Sequence, residues 1–420
     1  MSISTEDTIM TVAPEPYTIS ISQDKIDNLK TKLSLAEFSD ELAASEWDLG
    51  VPLTDVKRLT KAWEQWDWRQ AETRLNQVPQ FHTPINVEGF GDLDIHFVWQ
   101  RSEVENAIPL LFVHGWPGSF IEVLKILPLL SEPGGPAFHV VAPSLPNFGF
   151  SEGPKKRGFA AAQYAETCHK LMLSLGYNEY VTQGGDWGFT ITRSIGYLYP
   201  DHCKASHINM LHAHPPTFKK NPILALQHSL TSYSKREEDG FKRTKWFLRE
   251  GRGYNLTQST KPQTLAYALN DSPVALLAWI YEKLHDWTDG HPWTDDEILT
   301  WISIYQFSRM GPGAAHRIYY EVQHTQPGPG RITSQETSSY IGVKLGLAYN
   351  PKELMLYPKT WCRTLGLVVY EAENDAGGHF YATEQPEWLA RDLRAMFGKG
   401  GGAFGAVKGK SGYGSDRARL

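Results

Sequence analysis

The chain has few cysteines, and nothing in their placement suggests that they act together. Cys168, Cys203 and Cys362 are odd in number, widely spaced and form no C-x-x-C among 420 residues. Neither a disulfide framework nor a zinc site is therefore suggested, and buried, inert thiols are expected. Long apolar runs are missing as well. Nowhere do about eighteen apolar residues follow one another, and the start MSISTEDTIMTVAPEPY lacks a basic stretch followed by an apolar one. The expectation is a soluble, intracellular, cytoplasmic protein without a membrane anchor. Positive charge is not in surplus either: 41 Lys+Arg stand against 47 Asp+Glu, a net −6. That balance gives no basic face of the kind nucleic-acid binding needs, and it does not imply acidic substrates. No internal repeat is visible.

What the chain does have is rings: aromatics make up 12%, with 14 Trp and 19 Tyr. Most large rings fill cores, and a subset lining an apolar pocket is the second reading. Residues 1–15 are polar and proline-bearing and are expected to be disordered. Residues 16–105 read as an N-terminal segment, with helices over ISQDKIDNLKTKLSLAEF, VPLTDVKRLTKAWEQW and DWRQAETRLNQV, then a β-hairpin turning at Gly89-Phe90-Gly91. From about residue 106 short apolar runs alternate with helical patterns, which argues for an α/β class with a mostly parallel sheet. PLLFVHG, FHVVAPS, YVTQGG, ASHINML and GLVVYEA read as strands. The core is thus expected in two parts, 106–214 and 341–398, interrupted by a helical insertion over 215–340 that forms a lid on the carboxyl edge of the sheet. Residues 399–420, rich in glycine and basic residues, are expected to be a flexible tail.

Three stretches carry chemistry. In VTQGGDWGFT, Gly184-Gly185-Asp186-Trp187-Gly188 follows a strand and precedes a helix-compatible run, the setting of a nucleophile elbow with aspartate where serine is usual. The flanking glycines allow a turn tight enough to push the central side chain out over the sheet edge. The competing reading of Asp186 is a helix-capping or turn aspartate. In FVHGWPGSF, the loop from His114 to Gly118 follows a strand and can offer the Trp116 backbone N–H to an oxyanion, with the Trp187 N–H as the second donor. In DAGGHFYATEQPEW, His379 stands between the last strand and the last helix, where the base of this order of residues belongs. An acid to orient it is less defined: Glu353 in NPKELMLYP is 26 residues upstream, while Glu371, Glu373 and Asp375 are nearer in sequence. Glu353 can equally be a helix-start carboxylate.

With these residues assembled, the chain resembles the epoxide hydrolases of the α/β-hydrolase fold, in particular the fungal and microsomal type with an extra N-terminal segment. The likeness runs from about Pro16 to Phe397 and is carried by WDWRQAETRLNQ, HGWPGSF, GGDWG, TLAYALNDSPVALLAWI, NPKELMLYP and GGHFYATEQPEWLARDL. The resemblance implies Asp186 as nucleophile, Glu353 as the carboxylate that orients His379, and two lid tyrosines that hold the epoxide oxygen, with Tyr254 and Tyr319 as candidates. It departs from the family at Asn350, where an aromatic is usual, and Tyr320 beside Tyr319 leaves the second tyrosine open by one place. It implies a lipophilic epoxide and water as reactants and a vicinal diol as product. No metal or organic cofactor is called for, and oligomeric state, a homodimer included, stays open.

An aspartate suits that chemistry. Serine would form an ether that activated water cannot cleave, whereas a carboxylate forms an ester whose carbonyl carbon water can attack. Three rival readings remain at this level. A haloalkane dehalogenase shares the aspartyl ester and would use Trp187 on a leaving halide, although the lid tyrosines and N-terminal segment weigh against it. An epoxide-opening enzyme of a biosynthetic pathway differs in product. A non-catalytic binding protein would need none of these groups. Finally, Ala418-Arg419-Leu420 approximates a peroxisomal Ser-Lys-Leu address, with an ordinary soluble tail as the other reading.

Overall fold

The computed structural model describes residues 13–132 and 134–414. Among the described residues, nine strands form one sheet: β1 (Glu15–Pro16), β2 (Gln80–Val87), β3 (Gly91–Gln100), β4 (Ile108–Val113), β5 (Phe138–Pro143), β6 (Tyr180–Gly184), β7 (Cys203–Ile208), β8 (Ile341–Tyr349) and β9 (Gly366–Glu373). Their order is β1-β2-β3-β5-β4-β6-β7-β8-β9. The β2–β3 hairpin and the β3–β5 pair are antiparallel, and every pair from β5 to β9 is parallel. This is the α/β-hydrolase architecture. Strands β4 and β6 are buried at every position, which is why IPLLFV reads as an unbroken run instead of an alternating one, whereas Thr182 and Gln183 of YVTQG are buried on partners, Ser206 and Asn209.

The order reverses at β4, which lies between β5 and β6. Right-handed crossovers on either side of such a point carry their helices to opposite faces of the sheet. Accordingly Ala161–Ser174 packs on Trp187–Leu198 in one layer, while Pro386–Phe397 packs on Leu127–Ser131 in the other. The carboxyl ends of the strands beside the reversal make a crevice, the usual place for a site in an open α/β sheet.

Between β7 and β8 the chain is helical, with main helices at Pro222–Leu230, Lys235–Trp246, Gly253–Thr260, Pro262–Asp271, Pro273–Asp286, Asp295–Gln306 and Arg317–Gln323. Reciprocal caps start two of them, Ser234 with Glu237 and Thr294 with Glu297. The N-terminal segment is fastened to these helices. Trp63, 1% exposed, donates its indole N–H to Ser303 Oγ at 3.1 Å, and Trp66 reaches Asp296 Oδ1 at 2.9 Å. Arg58–Asp295 at 2.6 Å and Lys32–Asp271 at 3.1 Å lie at the surface, where each pair adds about 0–1 kcal/mol.

Two expectations change. Residues 1–12 lie outside the described residues, but the start expected to be disordered through residue 15 is already paired at Glu15–Pro16, in register with His82 and Phe81. The supposed flexible tail is, up to Gly414, a strap wound onto the body. Ala403 and Val407 are 1% and 4% exposed. Gly412 donates to the Asn106 carbonyl at 2.7 Å and accepts from Ala137 N–H at 2.8 Å. The glycines are there for geometry: Gly400, Gly405, Gly409 and Gly412 all have positive φ, a backbone state glycine adopts without steric cost. Ala418–Leu420 lie outside the described residues. No helix among those described is long and apolar enough to cross a membrane. The three cysteines are free and buried, and burial pushes the Cys168 and Cys203 thiols up to about 12.

Ending the chain after Gly402 should cost about 2–4 kcal/mol, since burying one valine is worth about 1.5–3 kcal/mol and the backbone pairing is lost with it. Urea unfolding of the truncated chain measures this. An unchanged midpoint would show that the strap contributes nothing.

Candidate active site

Asp186 sits between β6 and its helix with φ 49° and ψ −125°. A non-glycine residue held there costs on the order of 1–3 kcal/mol, and close packing on both sides enforces it. A Cβ on Gly188 would stand 2.0 Å from the Val113 carbonyl oxygen, and one on Gly115 would stand 2.2 Å from Asp186 Oδ1. Glycine at these two places lets the turns after β4 and β6 touch. Their contact puts the Trp116 backbone N–H 2.7 Å from Asp186 Oδ1. Trp187, whose N–H is the other expected donor, opens the helix directly behind Asp186. His114 fixes the β4 loop from below: Nδ1 bonds the Gly115 carbonyl at 2.9 Å and Nε2 accepts the Leu145 N–H at 3.1 Å. Burial lowers its pKa to about 4, so it stays neutral.

His379 follows β9. Its Nε2 lies 3.4 Å from Asp186 Oδ2, and its Nδ1 lies 2.6 Å from Glu353 Oε1. Glu353 also accepts the Leu354 N–H at 2.7 Å and is 1% exposed. Burial works against a proton on His379, but Glu353 and Asp186 outweigh it and hold the imidazole well above its ordinary range. The nearer acids are engaged elsewhere. Glu371 meets Arg363 and the Tyr349 hydroxyl, Glu373 meets Lys359 and Arg236, and Asp375 is 97% exposed. Asn350, standing where the resemblance leads one to expect an aromatic, is fully buried. It donates to the Gly378 carbonyl at 3.3 Å and accepts from Asn374 at 2.9 Å, tying the histidine loop to the end of β8.

Tyr254 and Tyr319 face this group from the helical insertion. The Tyr254 ring stacks on Trp116 at 5.1 Å, and Tyr319 meets Trp187 edge-on at 4.7 Å and Tyr254 at 5.9 Å. Burial, with the negative charge of Asp186 as a further cause, drives both phenols well above their usual range, so both keep their protons. Among the described residues, the Tyr319 hydroxyl is buried without a hydrogen-bond partner of normal geometry, a costly state for a group with no task. Tyr320 points elsewhere, under Arg157 and against His324. Two groups escaped the sequence reading. The Trp287 backbone carbonyl accepts the His379 backbone N–H at 2.8 Å, and the Trp287 ring packs against Trp116, Tyr254 and His379, which nothing in its local sequence signals. Glu122 belongs to the β4 loop, which was read for backbone donors alone. Burial pushes its carboxyl up to about 8 against the pull of His379.

The sheet order and elbow define an α/β-hydrolase. Residues 108–238 match the family described as "alpha/beta hydrolase fold", and residues 14–123 match "Epoxide hydrolase N terminus". The chain is 34% identical to Epoxide hydrolase 1 of Sus scrofa, over 91% of this chain and 88% of that one. Among solved structures it is similar to Aspergillus niger epoxide hydrolase, with TM-score 0.79 and 35% identity over 91% and 95% of the two chains. It is also similar to juvenile hormone epoxide hydrolase of the silkworm Bombyx mori, with TM-score 0.80 and 28% identity over 91% and 93%. The chain belongs to the epoxide hydrolase family.

Gly188→Ala should lower stability by more than about 3 kcal/mol or prevent folding, because the new Cβ meets backbone. Gly342→Ala, where nothing lies within 4 Å, should stay within about 0.5 kcal/mol of the parent. Thermal melts of the pair test this, and equal midpoints would refute the close-approach account.

Proposed function

We propose that the chain hydrolyses a lipophilic epoxide to a vicinal diol through an ester on Asp186. The observation that supports this best is the placement of one carboxylate between an imidazole and two buried phenols. Asp186 attacks an epoxide carbon from behind, the C–O bond breaks, and Tyr254 and Tyr319 stabilise the leaving oxygen, one of them giving its proton. Esterification removes the negative charge of Asp186. It thereby removes part of what holds the proton on His379; that proton passes to the phenolate left by ring opening, and the imidazole becomes a base at the moment one is needed.

In the second step His379, oriented by Glu353, takes a proton from water, and the oxygen of that water bonds to the Asp186 carbonyl carbon. The Trp116 and Trp187 N–H groups receive the oxyanion. The ester C–O bond then breaks, the proton left on the added oxygen passes to the departing diol oxygen, and Asp186 is again a carboxylate beside a protonated His379. Rings from Trp116, Trp187, Tyr254, Trp287 and Tyr319 surround the site and favour an apolar substrate. All groups come from a single chain, so the chemistry does not depend on a homodimer.

Intact mass of the His379→Gln variant after exposure to aryl and alkyl epoxides and haloalkanes tests the scheme. It should gain the mass of one whole epoxide, mapped to Asp186. Gain of an alkyl group without its halide, and none from epoxides, would make the chain a dehalogenase instead. Tyr254→Phe and Tyr319→Phe should each slow ester formation about 10²- to 10³-fold, the usual cost of losing one oxyanion donor. Ester formation at the parent rate in both would remove the tyrosines from the scheme.

A further inference from the structure

Glu122 is a carboxyl group that the scheme above leaves without a task, and it stands beside the reacting atoms. Its place is specific. A Cβ on Gly118 would lie 1.7 Å from Glu122 Oε1, so the bare backbone of Gly118 is what lets the carboxyl fold back over the β4 loop. There it helps to wall a cavity of about 20 Å³ together with Gly115, Gly118, Asp186, His379 and Phe380. Room for one water needs about 10–15 Å³ by the same measure, and a water held in a protein needs two or more polar partners. Glu122, His379 and Asp186 supply them. Neither Tyr254 nor Tyr319 lines this space, so it lies apart from the side on which the phenols would hold the epoxide oxygen.

We propose that Glu122 is the positioning residue for the hydrolytic water. This rests on the ester reading above. One O–H of the water is accepted by His379 Nε2 and the other by the Glu122 carbonyl oxygen, which leaves a lone pair of the water facing the Asp186 carbonyl carbon. When the bond forms, the first proton passes to His379. The second stays on the oxygen that joins Asp186, and Glu122 gains and loses nothing. A neutral Glu122 fits the role, because a second anion would repel the carboxylate of Asp186 and oppose its return. The alternative is that Glu122 only accepts the Gly115 and Ser119 backbone N–H groups and holds the turn.

The two roles separate in single-turnover experiments with styrene oxide, following ester formation and ester decay by rapid quench and intact mass. Glu122→Ala should form the ester within about threefold of the parent rate and hydrolyse it about 10- to 100-fold more slowly, the scale set by misplacing a reactant. The ester would then accumulate. Glu122→Gln keeps a carbonyl acceptor and should restore decay to within about threefold. Should Glu122→Ala fail to fold, Glu122→Leu removes the acceptor while keeping bulk.

Decay at the parent rate in the variants lacking an acceptor, or formation and decay falling together, would overturn the proposal. So would Glu122→Gln decaying as slowly as Glu122→Ala. In each of these cases the ester on Asp186 is still seen. Its absence from the His379→Gln variant would instead remove the underlying mechanism.

Discussion

The contact between two backbone turns, one after β4 and one after β6, is the constraint on which the site depends. Val113, Gly115 and Trp116 on one turn meet Asp186 and Gly188 on the other so closely that no Cβ fits at either glycine. This contact holds Asp186 at positive φ and supplies its 2.7 Å hydrogen bond from Trp116. The buried strands beneath supply the rigidity: β4 and β6 pair in parallel from Leu110–Val181 to Val113–Gly184. A strained turn of this kind persists only where its surroundings over-determine it.

Above that contact, the electrostatics are arranged around one negative charge, that of Asp186, which the proposed ester would consume. Asp186 and Glu353 keep a proton on His379 in the resting state, and burial keeps Tyr254 and Tyr319 in their donating form. Such opposed environments are how one site holds acid and base functions together. The helical insertion brings the phenols, and the N-terminal segment holds the insertion in place through Trp63, Trp66 and Arg58. That segment therefore serves the site without contributing a reacting group.

Much of this was legible because the signals were redundant. A continuous apolar run gives β4, short apolar runs give β5 and β6, and the glycine spacing around Asp186 gives the elbow. Position in the chain gives His379. The choice of Glu353 over Glu371, Glu373 and Asp375 was not legible from spacing, since it turns on which carboxylate side chain meets His379 Nδ1 and which meet Arg363, Lys359 or solvent. Asn350 was visible only as a departure, whereas its role is a pair of hydrogen bonds across the ends of β8 and the histidine loop. The glycine-rich C-terminal stretch misled because the same residue permits both disorder and tight positive-φ turns, and only the burial of Ala403 and Val407 tells them apart. Glu122 was missed because its signal is a contact with Gly118, four residues away, which has no signature in composition or period.

The central claim is that Asp186, and not water, makes the first bond to carbon. A single turnover in water enriched in heavy oxygen, with enzyme in excess over epoxide, tests it most directly. The account predicts that the diol leaves unlabelled and that the peptide containing Asp186 gains the heavy oxygen. Label in the first-turnover diol with an unlabelled Asp186 would mean that water opens the ring directly, and the ester mechanism would be wrong.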